Sequence, residues 1–293
     1  MPSSILWWRA SATKRAENSA VAGSRLQRLT PRMPAPASTQ TACFLTGASS
    51  GIGEALARHY AAKGATLGLV ARRAGRLADL AAALPGSHAC YPLDVADAAA
   101  LQAAASDFIG RCGCPDIVIA NAGISVGTLA AEAGDLAAFR SVFETNVMGM
   151  AQTFQPFIAA MKARGSGRLV GIASVAGIRG LPGAGAYCAS KAATIAYLEA
   201  LRVELRGSGV KVVTIAPGYI ATPMTAVNSY PMPFLLPADE AARRFARAIA
   251  RGTSYTVIPW QMGVVAKLMR LLPNPVFDAL FAHAGRKPRG LDL

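Results

Sequence analysis

Residues 42–53 read ACFLTGASSGIG: a five-residue apolar stretch, a turn holding Gly47, Gly51 and Gly53, and the start of a helix-forming run. A buried strand feeding a glycine-rich turn and then a helix is a specific arrangement. Glycine adopts positive φ and lets backbone approach a ligand, while the first N–H groups of the helix face any anion held there. Ser49, Ser50 and Ile52 complete the turn. The spacing G-x-x-x-G-x-G is not G-x-G-x-x-G, but it meets the same physical demand, a phosphate cradle at a helix N-terminus.

The chain on either side of this stretch fits a repeated pattern. Further apolar runs follow at TLGLVA (66–71), HACYPL (88–93), DIVIA (116–120), RLVGIA (168–173), VKVVTIA (210–216) and YTVIP (255–259). They are near-continuous in apolar residues rather than alternating, as expected of strands covered on both faces. Helix-prone segments such as GEALARHYAAKG, LQAAASDFIGRC and DEAARRFARAIARG lie between them. Alternating strands and helices give an α/β fold, a single doubly wound domain with a mostly parallel seven-stranded sheet. Its expected limits are residues 41–260, after a tail at 1–40 and before an apolar extension at 261–293.

Composition narrows the function. The 293 residues are 53% hydrophobic and 16% charged, and carry a formal charge of +14. No apolar run reaches the ~18 residues of a spanning helix. Five scattered cysteines suit a reduced compartment better than a disulfide framework, and Cys112 and Cys114 lack usual metal-site spacing, so no metal is expected. Residues 1–33 hold six basic side chains and one acid; the rest still carries +9. Without clustered Lys/Arg interleaved with aromatics, this charge points to acidic small ligands rather than nucleic acid. The first 40 residues, Arg-rich and aperiodic, read as a disordered tail or as sequence upstream of a start at Met33. A transit peptide is the other reading.

Two places suggest chemistry. Where the second strand ends, folds that hold NAD carry an acid for the ribose; here stand Ala71, Arg72 and Arg73, which favours the 2′-phosphate of NADP. Both are cofactor-binding candidates: Arg72 is expected to grip it, and Arg73 is the more readily idle of the two, a solvated strand exit being the alternative for both. In AYCASKAAT (186–194), Tyr187 and Lys191 fall one helical turn apart. An ammonium there favours the phenolate and lowers a pKa that starts near ~10.

TGASSGIG (46–53), NAG (121–123), Asn146 in TNVMG, Ser174 in GIASVAG and YCASK resemble the short-chain dehydrogenase/reductase family, in order and spacing across residues 42 to about 225. The resemblance implies a Rossmann fold and NADP(H). It implies that Tyr187 is the general acid/base, that Lys191 lowers its pKa and holds the nicotinamide ribose, that Ser174 hydrogen-bonds the substrate carbonyl, and that Asn146 positions a water. It further implies that Asp94 meets the adenine with Val95 beside it. Asn121, Ala122 and Gly123 would line the cofactor channel, and Pro217, Gly218, Ile220 and Thr222 would shape the nicotinamide side. Asp97 could cap the following helix as well as Asp94 could.

The expected activity is hydride transfer between NADP(H) and an apolar ketone, aldehyde or secondary alcohol; a non-catalytic NADP-binding sensor is the alternative class. The chain departs from the commonest family pattern at its end. VVAKLMRLL and VFDALF, broken by PNP, read as two short apolar helices that pack on the domain, form a dimer face or sit at a membrane surface. A cytoplasmic homodimer or homotetramer, with peripheral membrane contact as an option, completes the expectation.

Overall fold

The computed structural model describes residues 40–290. The N-terminal tail expected at residues 1–40 lies outside the described residues apart from its last position.

Seven strands form one parallel sheet: β1 (Ala42–Thr46), β2 (Thr66–Ala71), β3 (Ala89–Pro92), β4 (Ile117–Ala120), β5 (Gly167–Ile172), β6 (Val210–Pro217) and β9 (Tyr255–Ile258). Their order is β3-β2-β1-β4-β5-β6-β9. The chain leaves β1, builds outward to β3, then returns to add β4 on the other side of β1. That reversal opens a crevice at the C-terminal strand ends. A separate two-residue ribbon joins β7 (Ile220–Ala221) to β8 (Leu236–Pro237).

Helices cover both faces. One face carries α1 (Gly51–Ala61), α2 (Ala74–Ala83) and α8 (Ala238–Arg251); α1 and α8 bury Leu56, Tyr60, Phe245 and Ile249 against β1, β2 and β6 side chains. The other carries α3 (Ala98–Cys112), α5 (Gly149–Arg164) and α6 (Gly185–Glu204), packed around Phe44, Phe108, Phe154 and Phe157. Between β4 and α5 lie α4 (Asp135–Phe143) and a π-helical turn, Glu144–Met148; α7 (Pro223–Ala226) follows β7. The central strands β1 and β4 are buried along their whole length, as a doubly covered sheet requires, and β2, β5 and β6 at all but one position each, but edge strand β3 alternates partly buried and exposed residues because one long side has no neighbour.

The C-terminal segment forms α9 (Trp260–Leu271) and α10 (Asn274–Phe281). Met262 and Ala266 of α9 and Phe277 of α10 are buried. Arg179 donates to the carbonyls of Met269 and Leu272 and lies over the Phe277 ring, so one guanidinium ties both helices to the end of the sheet.

Candidate active site

Six segments leave the C-terminal ends of adjacent strands and enclose a cleft of about 600 Å³. Every residue expected at the site lines this cleft except Gly53 and Asn146. Gly47 has φ +68°, and a Cβ there would meet the Ala122 backbone at 2.8 Å. Gly53 plays a different part: a Cβ on it would fall 2.0 Å from the Gly47 carbonyl, so it permits α1 to pack onto the turn.

Thr46 fastens this turn to the segment after β4. Its hydroxyl, 1% exposed, accepts from the N–H groups of Asn121 and Ala122, each at 3.2 Å. Asn121 in turn donates its side-chain amide to the carbonyls of Thr46 and Gly47. Sequence reasoning passed over Thr46; the pairing of TGA with NAG on neighbouring strands was the available signal.

At the exit of β2 the two arginines are placed differently. Arg73 donates to both Ser49 and Ser50 hydroxyls at 3.1 Å, whereas Arg72 faces Asp94 at 3.8 Å. Arg73 is thus not an idle strand exit. It is the N-cap residue of α2 with extended backbone, and that geometry turns its side chain back over the glycine turn. Asp97 caps α3 by accepting from Ala100 N–H, which leaves Asp94, holding Ala96 N–H and facing Arg72, to line the cleft.

At the other end stand Ser174 and Tyr187. Ser174 precedes a short 3-10 turn after β5; its hydroxyl accepts from Ala176 N–H and stands near enough to the Tyr187 hydroxyl to hold its pKa down in part. Lys191, one turn along α6, is buried with its ammonium 5.8 Å from the Tyr187 ring centre, donating to the Ile172 carbonyl at 2.8 Å. The expected depression of the phenol is absent. Burial pushes Tyr187 up to about 12, and the Ser174 contact offsets this only in part. The reason is geometric: Lys191 points at a carbonyl and a ring face rather than at the phenol oxygen. Burial also pulls Lys191 down to about 8.

Asn146 sits behind the cleft on the π-helical turn, fully buried. Its amide accepts from Ile124 N–H and donates to the Ile124 carbonyl and Ser190 hydroxyl. The side chain therefore clamps the segment after β4 to α6. On the nicotinamide side expected from the sequence, Pro217, Gly218, Ile220 and Thr222 line the cleft, and Thr222 caps α7 reciprocally with Thr225.

A sequence model of the family described as short chain dehydrogenase matches residues 41–231. The chain belongs to the short-chain dehydrogenase family. An uncharacterized oxidoreductase of Myxococcus xanthus is 40% identical over 239 residues, covering 80% of this chain and 94% of that protein. Levodione reductase superposes with TM-score 0.69 at 27% identity, covering 76% of this chain and 98% of its own. L-sorbose reductase from Gluconobacter frateurii, solved with NADPH and L-sorbose, gives 0.68 at 25% identity, covering 75% and 95%. The protein is an oxidoreductase of this short-chain dehydrogenase type, a family that works with nicotinamide dinucleotides. The cleft suits such a cofactor, since the Gly47 turn leaves room only for backbone beside the first N–H groups of α1.

Proposed function

We propose that the protein is an NADP(H)-dependent oxidoreductase that interconverts an apolar ketone or aldehyde and its alcohol, with Tyr187 as general acid/base. The observation that carries this reading is the neighbouring Ser174 and Tyr187 hydroxyls lining the cleft, with a buried ammonium beside them.

The bound nicotinamide would supply the hydride taken up by the carbonyl carbon. Ser174 donates a hydrogen bond to the carbonyl oxygen and Tyr187 delivers its proton there, so charge growing on oxygen meets two fixed donors. A phenol held near pKa 12 remains protonated at neutral pH and is ready to give that proton. Lys191 keeps a positive charge beside the pair. In the reverse direction Tyr187 accepts the alcohol proton.

NADP(H) is favoured over NAD(H) because Ala71 offers no carboxylate to a ribose, while Arg73, Ser49, Ser50 and Arg72 gather donors at the same place. The apolar substrate class follows from the 224–237 segment, whose Met224 lines the cleft while Phe234 and Leu235 stand exposed.

The test is kcat/KM for NADPH and NADH over a panel of apolar carbonyls, together with cofactor affinity measured alone. NADPH should be preferred roughly 10- to 150-fold, the range of a contact of about 1.5 to 3 kcal/mol. Arg73→Ala should erase most of the preference and Ala71→Asp with Arg72→Ala should reverse it. Equal use of both cofactors by the wild type defeats the assignment, and tight NADPH binding without turnover of any carbonyl favours a sensor.

A further inference from the structure

We propose that α9 and α10 form a docking face for anionic lipid membrane. Helix α9 is apolar nearly all round. Its inner side buries Met262 and Ala266, yet its outer side presents Trp260 at 68% exposure, Val264, Leu268 at 60% and Leu271 at 79%. At about 100° per residue these four fall within a stripe about 80° wide. On α10, Val276 and Leu280 repeat the pattern one turn apart while Phe277 faces inward. A helix that is apolar on both sides calls for cover on both. Six of the large apolar side chains exposed among the described residues therefore belong to two successive helices.

Charge selects the cover. Lys267 and Arg270, both exposed, flank one edge of the stripe, and α9 carries no acidic residue. On α9 and α10 stand Lys267 and Arg270 against the single acid Asp278; Arg286 follows them, whereas Arg289 is paired with Glu132 and Asp135 and Lys287 donates to the Met224 carbonyl. A second copy docked about a two-fold axis would bring this basic edge against its own like, with no carboxylate on α9 to answer it. A bilayer of anionic lipid meets both features: acyl chains receive the stripe, and headgroups receive ammonium and guanidinium groups on long apolar stems. Trp260 at the helix start is the residue type that settles at the headgroup boundary.

The face also lies by the substrate segment. The chain leaving α10 packs Gly285 against Tyr230, within the 224–237 segment whose Val227, Phe234 and Leu235 are likewise exposed. Membrane docking is independent of whether the carbonyl chemistry proposed above is correct.

The experiment is co-sedimentation of the full chain with sucrose-loaded vesicles, of phosphatidylcholine alone and of phosphatidylcholine with about 30% phosphatidylglycerol. Partitioning should be at least about fivefold stronger on the anionic vesicles and fall in high salt, since each basic side chain near such a surface contributes about that factor. Leu268→Glu with Leu271→Glu should abolish sedimentation and leave the melting temperature unchanged, because both side chains are already in water. Leu268→Gln with Leu271→Gln is the second variant should the first misfold, and should weaken partitioning about tenfold or more. Wild type that fails to sediment overturns the proposal, as does sedimentation of either folded variant like wild type. So does a wild-type dimer that the Glu pair converts to monomer without any vesicle binding, which would assign the face to a second copy.

Discussion

Lys191 brings a charge into a place where charge is costly. Its folded pKa of about 8 lies below the ordinary 10.5, so the protonated form is disfavoured by folding. Between those values the unfolded chain holds more protons, and stability rises with pH across that window; at pH 7 the full cost, about 3 kcal/mol, is present. Lys191→Met should therefore hold or raise the melting temperature at pH 7 while turnover collapses, and calorimetry beside activity measurement checks both halves. The same value predicts that kcat/KM for carbonyl reduction falls about tenfold per pH unit above pH 8, as Lys191 loses its proton. Tyr187 stays protonated to about 12 and sets no limb below that. An alkaline limb that survives in Lys191→Met would assign it to another group. Tyr187→Phe removes only the transferable proton: kcat should drop by about 10² or more with NADPH affinity within a few-fold. At this scale the sequence was readable where chemistry fixes spacing, as for Ser174, Tyr187 and Lys191. It was not readable for Arg72 and Arg73, because which of two adjacent guanidiniums turns back depends on the backbone at the start of α2.

Strands β1 and β4 were legible because strands covered on both faces leave continuous apolar runs; the way their ends are joined was not. Thr46 closes that joint with one hydroxyl serving two N–H groups. Thr46→Val keeps the shape and strands both donors, so it should cost about 1 to 3 kcal/mol, the penalty for unpaired buried groups. A melting temperature lowered by about 2 to 4 °C per kcal/mol, with weaker NADPH binding, is the expected result. Wild-type melting and cofactor affinity would show that the contact is incidental. The β7–β8 ribbon escaped the sequence reading because two-residue strands have no periodicity to detect. The π-helical turn escaped too: one extra residue per turn leaves no compositional mark, yet it is what carries Asn146 to Ile124 and Ser190. The two C-terminal helices were readable as helices, and Asn274 and Pro275 of the PNP break proved to start α10.

Across the whole molecule the cleft has two differently built walls. Strand ends hold the wall proposed to take the cofactor phosphates, tied by Thr46, Asn121 and Arg73. The wall proposed to face the substrate is strapped from the far end of the chain. Pro288 accepts from Gly127 N–H at 2.9 Å, Lys287 donates to the Met224 carbonyl at 3.1 Å, and Arg289 pairs with Asp135 at 2.9 Å. The Gly127 and Met224 segments come from opposite sides of the crevice, so the strap sets their separation, and Ser125 and Met224 line the cleft directly. Ending the chain after His283 removes these contacts while leaving α10 in place. The Arg289 pair is exposed and adds little, and a backbone hydrogen bond contributes about 1 kcal/mol, so the melting temperature should fall by only a few degrees. NADPH affinity should change less than about threefold, because nothing removed touches the phosphate wall. The KM for the carbonyl should rise about tenfold, the effect of roughly 1.4 kcal/mol of lost positioning. Measuring both constants on the truncated enzyme separates the walls. An NADPH affinity that weakens in step with the carbonyl KM would mean that the cleft deforms as one body, and an unchanged KM would mean that the strap fastens the chain end without shaping the substrate side.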